Sequence, residues 1–315
     1  MQNKRARDGK TKRNNNYNQL YLAYANMEGM NGKEEEITRE TTRLDKTPDI
    51  IAATETWEDI EDTGTKTMPN YTWIGKPIKK NPGAPHAHGG TGAWIRNPLL
   101  NKISQLTPKH QHKDIMWLKI IGNRQVMYIA VVYSNPNNFE NHKEILQAIT
   151  MNEEILARSG TVVVVGDFNS RLNEVTGDNN RHNCKYNPAM RNFLKKSKMV
   201  AAINKKQIQE NKHWTFNGRQ GRSINDYLMA QPGIVSDYKV HQDVNLSSQH
   251  RLFTASLRLT YEKAQWQWGT KTAYTCEWND QARKDYKTHL NQPQHAELLN
   301  KIANENSRTE DQKKK

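Results

Sequence analysis

Four consecutive valines, Val162 to Val165, lead straight into Gly166-Asp167-Phe168-Asn169. The valines read as a strand covered on both faces, and that strand delivers Asp167 and Asn169 at its C-terminal end. Alternate residues of a strand point the same way, so both side chains can face one cleft. A carboxylate beside an amide suits a water nucleophile: one accepts its proton, the other holds it. Taken alone, Asp-Phe-Asn reads better as an Asx turn closing the strand. It does not stand alone, because apolar runs ending in polar side chains recur along the chain. Leu20–Ala25 runs into Asn26, with Glu28 just beyond, and Ile50–Thr54 ends at Glu55. His88-Gly89-Gly90-Thr91 is a glycine-dense turn into a strand, and Val131-Val132 ends in Tyr133. Ser223-Ile224-Asn225 leads to Asp226, and Ser248-Gln249-His250 comes last. Strand ends converging at one edge of a sheet pair would gather these groups into one site.

The elements that must position them are mostly short and β-like. Besides the runs above they are Tyr71–Gly75, Gly92–Arg96, Ile115–Ile121, Gln125–Tyr133, Trp214–Asn217, Ile224–Ala230, Tyr238–Val240 and Phe253–Leu259. Each is rich in β-branched or aromatic residues and bounded by Gly, Pro, Asn or Asp. Helical patterns are fewer. Glu34–Asp45 has acids first and bases later, matching the helix dipole, with Pro48 beyond its end. His142–Arg158 spaces Ile145, Ile149 and Ile155 at near-helical intervals, and Pro188–Lys198 opens with a first-turn proline. Many strands with scattered helices predict an α+β fold: a four-layer α/β/β/α sandwich of two packed, mostly antiparallel sheets with flanking helices.

Composition narrows the partner. The 315 residues include 47 Lys+Arg against 33 Asp+Glu, a formal net charge of +14. Residues 1–17 contribute six bases and one acid and read as a basic, disordered arm. Residues 261–315 hold Trp266, Trp268, Trp278, a helix-prone Asn279–Asn291 and a polar end, and read as an appendage. The body, 18–260, is itself basic, which suits a polyanion such as DNA. A solvated basic surface is the plainer alternative. Lys76, Lys79 and Lys80, after Tyr71–Gly75, could track a phosphate backbone or simply form a solvated turn. No apolar run is long enough to span a bilayer, and the basic start lacks the apolar core of a secretory signal. Cys184 and Cys276 are far apart with no CxxC, which argues against a disulfide framework or zinc site and fits a reducing compartment, the nucleus or cytoplasm.

Taken in order, these motifs strongly resemble the endonuclease/exonuclease/phosphatase superfamily, which includes DNase-I-like and apurinic-site nucleases. The resemblance covers roughly residues 18–260. Within it the chain looks most like the endonuclease of non-LTR retrotransposons, on Glu55-Thr56-Trp57, Gly89-Gly90-Thr91-Gly92-Ala93-Trp94, Trp214-Thr215-Phe216-Asn217 and Ser223-Ile224-Asn225-Asp226-Tyr227. The resemblance implies a Mg²⁺-dependent hydrolase, with Mn²⁺ as a substitute, that nicks DNA and leaves a 3′-hydroxyl. It implies Glu55 as the metal ligand, with Asn26 helping to hold metal or phosphate and Glu28, where apurinic-site nucleases often carry Asp, as a further metal ligand. It further implies Tyr133 as a phosphate contact, Asp167 as the residue activating water and Asn169 as its orienting partner. His250 would stabilise the attacked phosphoryl group, and Asp226 would pair with it. Two departures stand out. Gln249 occupies the middle of a motif that reads Ser-Asp-His in the family, and it can hydrogen bond but carries no charge. Asn225 stands where an apolar residue commonly precedes the Asp. Two alternatives follow: a catalytically weakened nucleic-acid-binding remnant, and a phosphoesterase of the same fold acting on small substrates.

Overall fold

The computed structural model describes residues 19–61, 66–123, 125–172, 175–176, 185–219 and 221–259. The expected arm at 1–17, the appendage at 261–315 with its three tryptophans and helix, and both cysteines lie outside the described residues. In chain order the elements are β1 Leu20–Asn26, α1 Glu34–Thr42, β2 Ile50–Thr54, β3 Tyr71–Lys76, β4 Thr91–Arg96, β5 Ile103–Leu106, β6 Ile115–Ile121, β7 Val126–Tyr133, α2 Phe139–Leu156 and β8 Thr161–Asp167. Then come α3 Asn187–Ser197, β9 Val200–Ala201, α4 Lys205–Gln209, β10 Phe216–Gly218, β11 Gly221–Ser223, β12 Asp226–Ala230, β13 Val235–Val240 and β14 Phe253–Leu257.

Twelve of these strands form two six-stranded sheets, ordered β13-β14-β1-β2-β4-β3 and β5-β6-β7-β8-β12-β9. Each sheet is antiparallel except for one parallel pair, β1 with β2 and β7 with β8. The inner faces meet in a core that includes Leu20, Leu22 and Tyr24 of β1 with Ile129 and Val131 of β7, Val163 and Val165 of β8, and Leu228 of β12. The outer face of the second sheet is covered by α2 and α3 through Ile145, Ile149, Met190 and Phe193. That of the first is covered by Ile37 of α1 with Met27, Met30 and Leu252. The expected four layers are therefore present.

Local chemistry explains where the boundaries differ from the sequence reading. Helix α2 starts at Phe139 rather than His142 because the side chain of Asn138 accepts from the N–H of Asn141, an N-cap. Strand β12 starts at Asp226 rather than Ile224 because the N–H groups of Asn225 and Asp226 both donate to Thr215 Oγ1 instead of to a neighbouring strand. Strands β5, β9 and β11 and helix α4 went unread: they have five residues or fewer, too few to set a period. Lys76 is not a free phosphate contact. It ends β3 and donates to the carbonyls of His112 and Ile115, tying one sheet to the approach of the other. Lys79 and Lys80 are exposed.

The parallel pairs bring the C-terminal ends of β1, β2, β7 and β8 to the same end of the sandwich. Gly166 is required there. A Cβ at this position would lie 1.9 Å from the carbonyl oxygen of Val132 on the paired strand, so only glycine lets β8 lie this close to β7. We expect Gly166→Ala to lower unfolding free energy by more than about 2 kcal/mol, the range of core overpacking. Urea melts of the two proteins measure this, and an unchanged midpoint would contradict the packing.

Candidate active site

The inner rows of the core end in polar side chains. On β1 the row Leu20, Leu22, Tyr24 continues to Asn26, and on β8 Val163 and Val165 continue to Asp167. On β7 the row ends in Tyr133, and on β12 it begins at Asp226. Register then aligns them sideways. Asp167 lies opposite Tyr133 on one side and Asp226 on the other, while Asn26 lies opposite Thr54 in the facing sheet. Alternation alone would turn Glu55 away from the side shared by Thr54. A left-handed residue, φ 50°, returns its carboxylate to Asn26. Trp57 is left-handed too, at φ 56°, and its Nε1 donates to Glu55 Oε2 at 3.3 Å. Its ring needs Gly29, where a Cβ would sit 2.6 Å from the indole and where φ is +99°.

Asn26 is buried and joins two acids through one amide nitrogen. Nδ2 donates to Glu55 Oε1 at 2.7 Å and to Asp167 Oδ2 at 3.0 Å, while Oδ1 accepts from the N–H of Glu28. Strand β8 ends at Asp167, so Asn169 does not reach the cleft by continued alternation. It is a left-handed residue in an Asx turn: its N–H donates to Asp167 Oδ1 at 2.9 Å and its Nδ2 to Asp167 Oδ2 at 3.2 Å and Ser134 O at 2.9 Å. The turn reading and the site reading of Asp-Phe-Asn are thus one structure.

His250 is 5 % exposed. Its Nδ1 bonds Asp226 Oδ2 at 2.8 Å, and its Nε2 stands 3.9 Å from Asp167 Oδ2. Asp226, fully buried, also accepts from the Tyr24 hydroxyl at 3.0 Å. Tyr24 in turn meets Thr54 Oγ1 at 2.8 Å. Tyr24 and Thr215 were not singled out by sequence reasoning. Two-residue spacing from Asn26 could have flagged Tyr24, whereas nothing in a single sequence marks Thr215 as the anchor of Asp226. Tyr133 lies close enough to Glu55 for that carboxylate to help raise its hydroxyl's pKa. Glu28 is drawn elsewhere: its carboxylate accepts from the N–H of Gln249 at 2.8 Å and from Gln249 Nε2 at 3.2 Å.

The charges are tightly coupled. Burial opposes a charged His250, but Asp226, with its hydrogen bond, and then Asp167 and Glu55 outweigh it and lift the ring to about 9. Burial first, then Asp226 and Glu55, push Asp167 well above the usual carboxylate range, against the lowering influence of His250 and of the Asn169 N–H. Tyr24 and Tyr133 are also raised, by burial first and then by neighbouring carboxylates, and so remain hydroxyl donors. Among the described residues, Glu55, Asp167 and His250 offer ligand atoms within 4.8 Å of one another. Two carboxylates held this close to each other make a donor set fit for a hard divalent cation, which would relieve their repulsion.

A profile of the endonuclease/exonuclease/phosphatase family matches residues 23–280. The chain belongs to this family. The fold of this family is one of hydrolases acting on phosphodiesters or phosphate esters. Solved structures agree on the fold. The AP endonuclease LMAP from Leishmania major superposes with a TM-score of 0.59 at 11% identity, over 76% of this chain and 87% of that one. The endonuclease domain of TRAS1, a telomere-specific non-LTR retrotransposon, gives 0.58 at 14% over 76% and 99%. The 3′-5′ exonuclease NExo from Neisseria meningitidis gives 0.57 at 14% over 76% and 99%. No curated protein sequence matches the chain. Among the described residues no helix is long and apolar enough to cross a membrane.

The raised pKa of His250 has a sign. Its folded value, about 9, exceeds the ordinary 6.5, so its charge contributes stability that is full below about pH 6.5 and lost as pH rises through about 9. In EDTA, the gap in unfolding free energy between wild type and His250→Gln should shrink by on the order of 3 kcal/mol between about pH 6 and pH 10. A gap constant with pH would show that the ring is not held charged.

Proposed function

We propose that this family member is a divalent-metal-dependent endonuclease that nicks DNA and leaves a 3′-hydroxyl and a 5′-phosphate. The observation that carries this reading is the juxtaposition of Glu55, Asp167 and His250, from three distant segments, around one point. Glu55 would hold the metal, its oxygens oriented by Asn26 and Trp57. When bound, a Mg²⁺ or Mn²⁺ ion supplies Lewis-acid polarisation of a phosphoryl oxygen and stabilises the departing 3′ oxygen. The chain's own groups do the rest. Asp167 accepts the proton of a water that Asn169 helps to hold, and its raised proton affinity makes it, once ionised, a stronger base than a surface carboxylate. His250, kept protonated by Asp226, directs positive charge at the attacked phosphoryl group. Asn26 and Tyr133 add hydrogen-bond donors to the same pocket. Three things support DNA as the substrate: the basic body, the nuclease activities of the structural neighbours, and NExo, described bound to product DNA hairpin.

The purified chain should convert supercoiled plasmid to open circle in Mg²⁺ and stop in EDTA. Asp167→Ala should slow nicking by about 10²-fold or more, the scale of losing a general base. Glu55→Ala should lose cleavage yet keep salt-sensitive DNA binding. Intact plasmid in both Mg²⁺ and Mn²⁺, with turnover of a small phosphomonoester instead, would move the reading to a small-substrate phosphoesterase.

A further inference from the structure

His250 lies in the connection between β13 and β14, outside both strands. Its ring is fixed by Asp226, but the backbone that carries it is held against the turn after β1. Ser248 Oγ donates to the carbonyl of Asn26 at 2.9 Å and accepts from the N–H of His250 at 3.1 Å. Lys33 Nζ bridges the carbonyls of Met27 and Ser247. Glu28 completes the join with both carboxylate oxygens, one taking the backbone N–H of Gln249 and the other its side-chain amide. Glu28 is left-handed, φ 45°, and its own N–H fixes which way the Asn26 amide faces.

We propose that Glu28 is a positioning residue: it seats the segment bearing His250 by accepting from the backbone N–H and from the side-chain amide of Gln249, and it does not ligate the metal. The inference rests on the nuclease reading above. Its chemistry is that of a matched pair. A carboxylate at 28 needs donors opposite it, and an amide at 249 supplies one beside the backbone N–H. An acid at 249 would set two carboxylates face to face and push the segment away. Gln249 is therefore the residue that Glu28 requires, not merely a lost charge. A ligand role would draw the Glu28 carboxylate towards Glu55 and Asp167 and give up both hydrogen bonds to Gln249.

The test uses the full chain and four variants. Glu28→Ala should lower kcat for nicking by about tenfold, the net worth of the two hydrogen bonds that hold the segment, with KM and the Mn²⁺ concentration at half-activity within about twofold. Hydrogen exchange of the Gln249 and His250 amides should quicken by a comparable factor. Glu28→Gln should restore kcat and slow exchange, because a turned-over Gln249 amide rebuilds the pair. Gln249→Glu should fail like Glu28→Ala, and adding Glu28→Gln to it should recover function. If Glu28→Gln is as poor as Glu28→Ala and Mn²⁺ binding followed by electron paramagnetic resonance weakens in both, Glu28 is a ligand and the proposal is wrong. Gln249→Glu behaving as wild type also overturns it. Should wild type not cleave DNA at all, the nuclease reading fails, while exchange and Mn²⁺ binding still decide the pairing: unchanged Gln249 exchange in Glu28→Ala sinks it.

Discussion

Two fully or almost fully buried carboxylates, Asp167 and Asp226, stand on neighbouring strands at the end of an apolar core, with one imidazole between them. Burying such charges is costly unless each is paired and hydrogen bonded. His250 is the internal countercharge, and the surrounding donors complete the account. Tyr24 and two backbone N–H groups on Thr215 serve the Asp226 strand end; Asn26 and Asn169 serve Asp167. Remove the imidazole and two acids are left facing each other in a poorly solvated space. The rest of the local architecture can be understood as the means of holding that ring in place.

The sheets supply the frame. Because each contains one parallel pair, four strand ends emerge on the same side, and the inner rows change from aliphatic to polar at the same level. That change is abrupt: Val165 belongs to the core and Asp167 to the polar cluster, two residues apart on one face. Placing these polar groups on strand ends, supported by a packed core, limits their freedom more than a free loop would. The groups that do sit on connections, Glu55, Asn169 and His250, are tied back by hydrogen bonds to strand residues.

Much of this was legible in the amino-acid order. The long strands announce themselves through β-branched runs, and the polar residues that end several of them are the ones that cluster. Asp226 as partner of His250 follows from the family resemblance and from nothing local. Three things were not legible. Short elements carry no period. The left-handed turn at Glu55, which reverses the facing expected from alternation, is set by tertiary contacts of Asn26 and Trp57. The meaning of Gln249 depends on Glu28, a residue more than two hundred positions away that a linear reading treats separately.

Strand β1 lies between β2, its near neighbour in the chain, and β14, the last strand of the sandwich, with Tyr24 directly beside Phe253. During synthesis on the ribosome, the first strand therefore waits with one hydrogen-bonding edge open until almost the whole domain has emerged. Pairings of such long sequence separation are slow to form, and the exposed edge is a hazard for aggregation meanwhile. Closure of that edge also brings in the segment carrying His250, so the nascent protein acquires its countercharge and its last central strand in one late step. A chain interrupted before Phe253 would have neither a closed sheet nor a reason to bury its acids.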